Sequence, residues 1–188
     1  MAPEPAADAP RLERFRGYLV LLVRLHWDPR LQGKYDPSDL VQQTMLEAFE
    51  KHAQFRGSSD AELAAWLRQM LAHNLADVLR ALGQAKRDVN LERSLEAALG
   101  DSSSRLEGWL AAEQSSPSQQ AMRQEELLRL ADALDQLPAL QREAVVLHHL
   151  QGMSLADLAG HLNRSEASVA GLLRRGLRRL RGLLDDRD

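Results

Sequence analysis

Apolar residues recur at intervals of three and four positions from one end of this chain to the other. That spacing places side chains on one face of an α-helix, and it restricts the possible folds more than any other feature of the sequence. β-branched and aromatic residues, which favour strands, are sparse, and no convincing alternating run is present. The sequence therefore predicts an all-α protein.

Composition narrows the class further. The 188 residues include 44% hydrophobic residues, which suits one domain or two small ones with a buried core. The absence of cysteine excludes disulfides, thiol nucleophiles and thiolate metal sites, and it favours a cytoplasmic location. The longest apolar runs, such as residues 18–23, are too short to span a membrane, and the first ten residues lack the features of a signal peptide. We expect neither export nor membrane insertion.

Three predicted helices form a first bundle over residues 8–87. The first follows Asp8 and Pro10 and ends before residues 28–29, which read Asp-Pro. The second begins at Asp36 and turns Met45, Phe49 and other apolar side chains inward, and the third begins near Asp60.

Residues 88–120 differ in composition from the segments on either side. Acidic residues outnumber basic ones there, and two stretches, 101–104 and 114–118, are rich in serine. A short helix carrying Leu91, Leu95 and Leu99 is compatible with the spacing. The segment is predicted to be a flexible acidic linker.

The helical pattern returns over residues 121–185. Ser154 and Asp157 have the spacing of a helix N-cap, and residues 163–165 form a predicted tight turn before a last, basic helix. A short helix, a turn and a longer basic helix make up a helix-turn-helix, whose second helix enters the major groove of DNA.

Charge supports DNA binding by this motif. Between Arg164 and Arg181 six arginines face a single acid, Glu166, in a chain whose net charge is -3. The alternative is an ordinary amphipathic helix with solvated arginines. The candidate DNA-binding residues are Arg164, Ser165, Glu166, Ala167, Ser168, Gly171, Arg174, Arg175, Arg178 and Arg179.

Two blocks of sequence resemble a known family, the extracytoplasmic-function (ECF) sigma factors of the sigma-70 family of bacterial RNA polymerase. Residues 137–159 and the basic helix after them are similar to region 4 of that family. Residues 36–49, which read Asp-Pro-Ser-Asp-Leu-Val-Gln-Gln-Thr-Met-Leu-Glu-Ala-Phe, together with 54–59, 65–68 and 73–80, look like region 2. The resemblance covers both predicted bundles in the order expected for the family.

This resemblance implies a promoter-specificity subunit that binds core RNA polymerase and directs transcription initiation at a dedicated promoter set. Contact with the clamp helices of the β′ subunit would fall on Asp36, Asp39, Leu40, Gln42, Gln43 and Glu47. Melting of the downstream promoter element and base contact would fall on Phe55, Arg56, Gly57, Ser58, Trp66, Arg68, Asn74 and Arg80. The alternatives here are a plain surface helix, a Trp66 that belongs to the core, and solvated arginines.

The docking helix departs from the family pattern at Ser38 and Gln43, where relatives usually carry acids. We hypothesise that phosphorylation of Thr44 or Ser38 by a Ser/Thr kinase restores the missing charge, because a phosphate adds about -1.5 to -2 charges. An anti-sigma factor is a further possible partner implied by the resemblance.

Two other function classes remain open from the sequence alone. One is a stand-alone helix-turn-helix regulator with an N-terminal sensing or dimerisation module, and the other is a helical adaptor. His148, His149 and His161 lack the spacing of a metal site, and no phosphate loop or catalytic constellation is present. We expect no metal, no cofactor and no enzymatic activity.

Overall fold

The structure, a computed structural model, describes residues 5–27, 35–82, 90–113 and 120–185, and every regular element within those ranges is helical. The all-α prediction is confirmed. The α-helices are α1 (Pro5–Glu13), α2 (Arg16–His26), α3 (Pro37–Glu50), α4 (Asp60–Ala81), α5 (Asn90–Glu113), α6 (Gln120–Asp135), α7 (Ala139–Val145), α8 (Leu155–His161) and α9 (Glu166–Asp185). A 3₁₀ turn, His52–Gln54, follows α3, and a π-helical turn, Val146–Leu150, continues α7.

Side-chain caps fix where several helices begin. Asp36 accepts a hydrogen bond from the backbone N–H of Ser38 at 2.8 Å ahead of α3. Ser59 and Glu62 form a reciprocal capping box at α4, and the backbone N–H groups of Ser59 and Ser58 lower the pKa of Glu62 to about 2. Ser154 caps α8 by accepting from the N–H of Asp157.

The predicted first helix is two helices. α1 and α2 meet at Phe15, so the helix does not begin after Pro10, which lies inside α1. The break lets both Leu12 and Phe15 reach the interior. Residues 28 and 29, where the sequence predicts the turn that ends this segment, lie outside the described residues.

The N-terminal core lies between α2, α3 and α4. Its members are fully or nearly fully buried leucines, aromatic residues and a valine: Phe15, Tyr18, Leu19, Leu22, Leu40, Val41, Leu63, Leu67, Leu71 and Leu75. Phe49 was predicted to point inward, but its side chain is 38% exposed because it lies at the edge of the buried face of α3.

The predicted flexible linker is wrong for residues 90–113, which form the 24-residue helix α5. Leu99 and Leu106 are buried, and so are Ser102 and Ser103 in the serine-rich stretch predicted to be mobile. Buried hydroxyls find hydrogen-bond partners on α2, which explains how a polar stretch can pack. The second serine-rich stretch, 114–118, lies outside the described residues.

The C-terminal half, α6 to α9, packs directly on the N-terminal half. α2 crosses α6 so closely that a Cβ at Gly17 would lie 2.2 Å from Oδ1 of Asp132. Arg24 bridges to Asp135 at 2.6 Å, and the Gln151 side chain donates to the backbone oxygen of Leu25 at 3.1 Å. The two predicted bundles are therefore in contact in this structure.

None of the described helices is long and apolar enough to cross a bilayer.

Candidate nucleic-acid and polymerase interfaces

Helix α9 separates its apolar and basic side chains cleanly. Val169, Leu173, Gly176 and Leu180 are buried. The residues predicted to contact DNA lie at the start of the helix or on its outer surface, and most are exposed: Arg164, Ser165, Glu166, Ala167, Arg174, Arg175, Arg178 and Arg179. Ser168 and Gly171 are half-buried. We call the exposed surface of α9 that carries Arg174, Arg175 and Arg178 the α9 basic face.

Helix α8 and the turn after it hold α9 in place. Asn163 adopts a positive φ of 50°, a conformation that asparagine tolerates better than most residues. The Arg164 N–H donates to the Ala159 oxygen at 2.9 Å, and Ser165 accepts from the N–H of Ser168 at 3.2 Å. These bonds fix the angle between the two helices of the motif.

Glycine at position 176 allows α9 to lie close against α7. A Cβ there would lie 2.9 Å from Cγ2 of Val145 and 3.4 Å from the backbone oxygen of Gln141. Real Cβ atoms do not approach other atoms as closely as the first distance, so a side chain at this position would force Val145 or the helix α7 itself to shift. The sequence alone does not reveal this contact, because a lone glycine within a helical pattern does not identify its neighbour.

The exposed side of α3 carries most of the residues predicted to contact polymerase. Asp36, Asp39, Gln42 and Gln43 are exposed and Glu47 is half-buried. Leu46, at 60% exposure, lies among them, and sequence reasoning missed it. Its position three and four residues after Gln43 and Gln42 is the signal that could have found it. We call Asp39, Gln42, Gln43 and Leu46 the α3 face.

Leu40 is a correction to the predicted polymerase contact. Its side chain is 2% exposed and belongs to the core, so it cannot touch a partner. Helical spacing places it one position before Val41 and four before Thr44, both also buried.

Thr44 and Asn74 are also corrected, because both are buried and hydrogen-bonded to each other. The Thr44 hydroxyl donates to the Leu40 oxygen at 2.9 Å, and the Asn74 amide donates to Thr44 Oγ1 and to Glu47 Oε2, each at 3.1 Å. A kinase cannot reach Thr44, and Asn74 cannot read a base, while this network is intact. Ser38 is half-buried, and its phosphorylation stays a prediction.

Glu47 joins this network to the surface of the protein. Its partner Lys51, one turn further along the chain, is the main cause of its lowered pKa, and the hydrogen bond from Asn74 adds to the effect. The carboxylate is thus held ionised at the edge of α3.

Three rings cluster at the start of α4. The centroids of Phe55 and Trp66 are 5.4 Å apart, and His52 lies 6.5 Å from Trp66 in an edge-on arrangement. Gly57 fits under this cluster, since a Cβ there would lie 2.5 Å from the Phe55 ring. Trp66 is half-buried, so it contributes to packing and also keeps a surface, while Arg56 and Ser58 are exposed nearby.

The two arginines predicted on α4 have protein partners. Arg68 turns inward and donates to the hydroxyl of Tyr18 at 2.8 Å, and Arg80 pairs with Asp77 at 2.6 Å. The structure therefore separates Arg68 and Arg80 from the ring cluster with which they were grouped.

The histidines have local partners as well. His148 Nδ1 lies 2.7 Å from the Met153 oxygen, His149 stacks on Trp109 with ring centroids 5.5 Å apart, and His161 is 3.2 Å from Glu143. Within the described part of the chain, no group of three or more potential ligands is arranged to hold a metal ion.

Comparisons with known proteins give several sequences that this chain resembles. The family model for sigma-70, region 4, matches residues 127–180. The chain is 31% identical over 150 residues to RNA polymerase sigma factor CnrH of Cupriavidus metallidurans, a match that covers 80% of this chain and 74% of that protein. It is 30% identical over 163 residues to ECF RNA polymerase sigma factor SigM of Mycobacterium tuberculosis, covering 86% and 71%.

Among solved structures, the chain matches the sigma factor RpoE of Bartonella quintana, determined in complex with the anti-sigma factor NepR. The identity is 23%, the match covers 97% of this chain and 95% of the other, and the TM-score is 0.35. Agreement at that level is too low for a comparison of the two architectures.

Proposed function

Because the chain belongs to the ECF sigma factors of the sigma-70 family and is a sigma subunit of RNA polymerase, we propose that three of its surfaces divide the work of that subunit. These are the α3 face, the ring cluster of His52, Phe55 and Trp66, and the α9 basic face. Membership of the family also decides against a stand-alone regulator and against a helical adaptor.

The α9 basic face contacts the upstream promoter element. The observation that carries this assignment is that Arg174, Arg175 and Arg178 all point to solvent while the opposite side of the helix is buried. Ala167 and Gly171, at the N-terminal end of the same surface, let the backbone approach the groove closely. Arginine donates hydrogen bonds to guanine edges and to phosphate. This face can therefore both orient the protein on the duplex and read the base sequence.

The α3 face docks on the clamp helices of the β′ subunit of core polymerase. It presents one acid, Asp39, two amides and the exposed Leu46. An apolar side chain within a polar rim is the usual anatomy of a protein interface. Leu46 takes the place in the contact that the sequence had assigned to the buried Leu40.

The ring cluster and the loop before α4 receive the melted downstream element. Aromatic rings provide surfaces on which an unpaired base stacks, and Arg56 and Ser58 are exposed beside them. Arg80, which is paired at the surface, remains available to the strand, whereas Asn74 acts inside the protein and Arg68 uses one guanidinium nitrogen for the buried Tyr18.

Family membership supports the remaining proposals. The protein acts in the cytoplasm with core RNA polymerase and promoter DNA as partners, and an anti-sigma factor is a further partner. We expect no catalytic residue, since sigma subunits in general are not enzymes, and we expect no cofactor.

Promoter-dependent transcription with purified core polymerase tests the α3 face. We expect Leu46→Arg and Asp39→Arg each to lower both core binding and transcript yield about tenfold or more, because each puts an unmatched cation in the interface. The matched control is Glu125→Arg, which reverses the charge of an exposed residue on α6. Equal transcription by all three variants would rule out docking through α3.

The α9 basic face has its own test. Arg174→Ala combined with Arg175→Ala should leave core binding intact and reduce holoenzyme binding to promoter DNA, with the slope of log affinity against log salt smaller by about 2. Arg14→Ala with Arg16→Ala removes the same charge elsewhere on the exposed surface. If both double variants bind promoters equally well, α9 is not the reader.

A further inference from the structure

The first half of α5 lies along α4 and presents carboxylates to it. Gln69 donates to Glu96 Oε1 at 3.0 Å, and His73 Nδ1 lies 3.3 Å from Glu92 Oε2. Both contacts are at the surface, where His73 is 49% and Glu92 43% exposed. An acidic helix thus covers one side of α4.

From Leu99 onward α5 is anchored differently. Leu99 and Leu106 are buried, Tyr18 donates to the Ser103 hydroxyl at 2.9 Å, and Ser102 is 2.9 Å from His26 Nε2. Buried contacts of this kind hold more firmly than exposed ion pairs. The helix therefore combines a part that is fixed from Leu99 onward with residues 90–98, the greater part of its first half, whose polar contacts with α4 are exposed.

An open cavity of about 370 Å³ lies between the first half of α5 and α4. Arg68 of α4 and Arg93 of α5 line it together with Glu96. Arg68 uses one guanidinium nitrogen for Tyr18, and its side chain borders the cavity. The side of α4 that α5 covers is thus a row of three hydrogen-bond donors or cations: Arg68, Gln69 and His73. We call this row the α4 edge.

We propose that the α4 edge is a surface for the sugar-phosphate backbone of single-stranded DNA, and that the carboxylates of Glu92 and Glu96 occupy it in place of phosphates. This inference rests on the proposed function, which puts the melted strand at the neighbouring ring cluster. Trp66 and the α4 edge share one helix, and Gln69 and His73 border the same groove as Trp66 on the exposed side of α4. A strand that stacks a base on Trp66 would run past both donors.

Competition follows from this geometry. A phosphate and a carboxylate both offer anionic oxygens to the same donors, so the strand and the first half of α5 cannot hold the α4 edge together. The two polar contacts between α5 and the α4 edge are exposed pairs of the weak kind, so a phosphate can displace each carboxylate. α5 therefore disfavours DNA binding until polymerase or the strand itself moves its first half away.

Neutralising the carboxylates of Glu92 and Glu96 in the full chain tests whether α5 competes with DNA for the α4 edge. The probe is a labelled 12-nucleotide single-stranded DNA of mixed sequence, and binding is followed by fluorescence anisotropy. We expect Glu92→Gln with Glu96→Gln to bind it about tenfold more tightly than the natural sequence.

The matched control is Asp101→Asn with Glu125→Gln, which changes the net charge equally at exposed positions of α5 and α6. Its affinity should change by about twofold at most, because neither residue lines the cavity beside the α4 edge. If both double variants gain the same affinity for single-stranded DNA, net charge alone explains the effect and the proposal is overturned.

Cross-linking α5 to α4 gives the opposite test, because it keeps the carboxylates of α5 on the α4 edge. The chain contains no cysteine, so Ala65→Cys with Ala97→Cys, on the two walls of the cavity, can be bridged by a short bis-maleimide without side reactions. The bridged protein should bind core polymerase normally and lose binding of single-stranded DNA and promoter opening about tenfold or more. A control pair within α5, Asp101→Cys with Ser104→Cys, receives the same reagent and should keep both activities.

The result separates the two proposals. If the natural chain fails to direct promoter-dependent transcription with core polymerase, the proposed function itself is in error. If the unbridged and bridged proteins open promoters equally, the sigma role stands and the competition by α5 is overturned.

Discussion

Helices α5 and α9 are both long. α5 presents acidic side chains and α9 presents basic ones, and the two helices differ in what they bury. α9 buries valine, leucines and a glycine, and its Arg174, Arg175 and Arg178 are exposed. α5 buries serines beside its leucines and directs two of its carboxylates at a neighbouring helix. The charges of the α9 basic face are therefore accessible to an outside partner, whereas these two carboxylates of α5 are used within the protein.

The two helices also differ in how specifically they are held. The close contact of α9 with α7 depends on shape, since at Gly176 there is no room for a side chain. α5 depends on a chain of hydrogen bonds that runs from Arg68 through Tyr18 and Ser103 to Glu107. Substitutions that add side-chain volume should therefore destabilise the packing of α9 most. Substitutions that remove a single polar atom should destabilise the packing of α5.

The largest effect is expected at the close contact of α9. Gly176→Val should lower the free energy of unfolding by about 2 kcal/mol or more, because the added methyl groups must displace Val145 or the α7 backbone. Urea unfolding measures it. The control is Gly182→Val in the same helix, where a Cβ meets nothing within 4 Å. Equal destabilisation would mean that a valine anywhere in α9, and not the lack of space at Gly176, is responsible.

An intermediate effect is expected at the anchor of α5. Tyr18→Phe removes a buried hydroxyl that accepts from Arg68 and donates to Ser103, and it should lower the free energy of unfolding by about 1 kcal/mol. Tyr35→Phe, at a tyrosine that is 42% exposed, should have almost no effect. Similar unfolding midpoints for the two variants would show that the hydrogen-bond chain through Tyr18 does not stabilise the packing of α5.

A smaller effect is expected from pH at the same anchor. Burial is the main cause of the lowered pKa of His26, and the charge of Arg105 lowers it further. The unfolded chain therefore takes up this proton more readily than the folded protein. The stability contributed by neutral His26 is present above about pH 6.5 and is lost as the pH falls through the lowered pKa.

Thermal melts at about pH 7.5 and about pH 5.5 measure this dependence. His26→Gln keeps a polar group for Ser102 but cannot titrate, so its melting temperature should fall less on acidification than that of the natural sequence. His161→Gln, at an exposed histidine, should behave like the natural sequence. A full acid response in His26→Gln would show that another group is responsible.

The smallest effect is expected on the α9 basic face. A Cβ at Gly171 would lie 3.2 Å from a guanidinium nitrogen of Arg175, so Gly171→Ala should move that guanidinium by a few tenths of an ångström. We expect about a twofold change in holoenzyme preference among randomised upstream elements, since one side-chain donor is shifted slightly. Gly182→Ala gains the same helix propensity with no neighbour and should leave the preference unchanged.

Much of this molecule could be predicted from local sequence. The caps of α3, α4 and α8 depend on residues two or three positions apart, and the separation of leucine from arginine in α9 follows from helical spacing alone. The burial of Leu40 could also have been predicted in this way, because it falls on the apolar stripe of α3.

The rest depends on partners that are distant in the chain. Ser103 packs because Tyr18 is there to bond it, and the two residues are 85 positions apart. Thr44 is buried because Asn74, 30 positions later, satisfies its hydroxyl. Serine and threonine are polar by composition, so without those partners the sequence indicates surface or linker for such positions.

The bond between Asn74 and Thr44 has one more consequence. It ties α3, the proposed polymerase contact, to α4, the proposed base-stacking helix, through buried side chains. If the proposed function holds, the position of the polymerase clamp and that of the first unpaired base are set by one shared network. We then expect a change in the spacing of the two promoter elements to be taken up elsewhere in the protein than between α3 and α4.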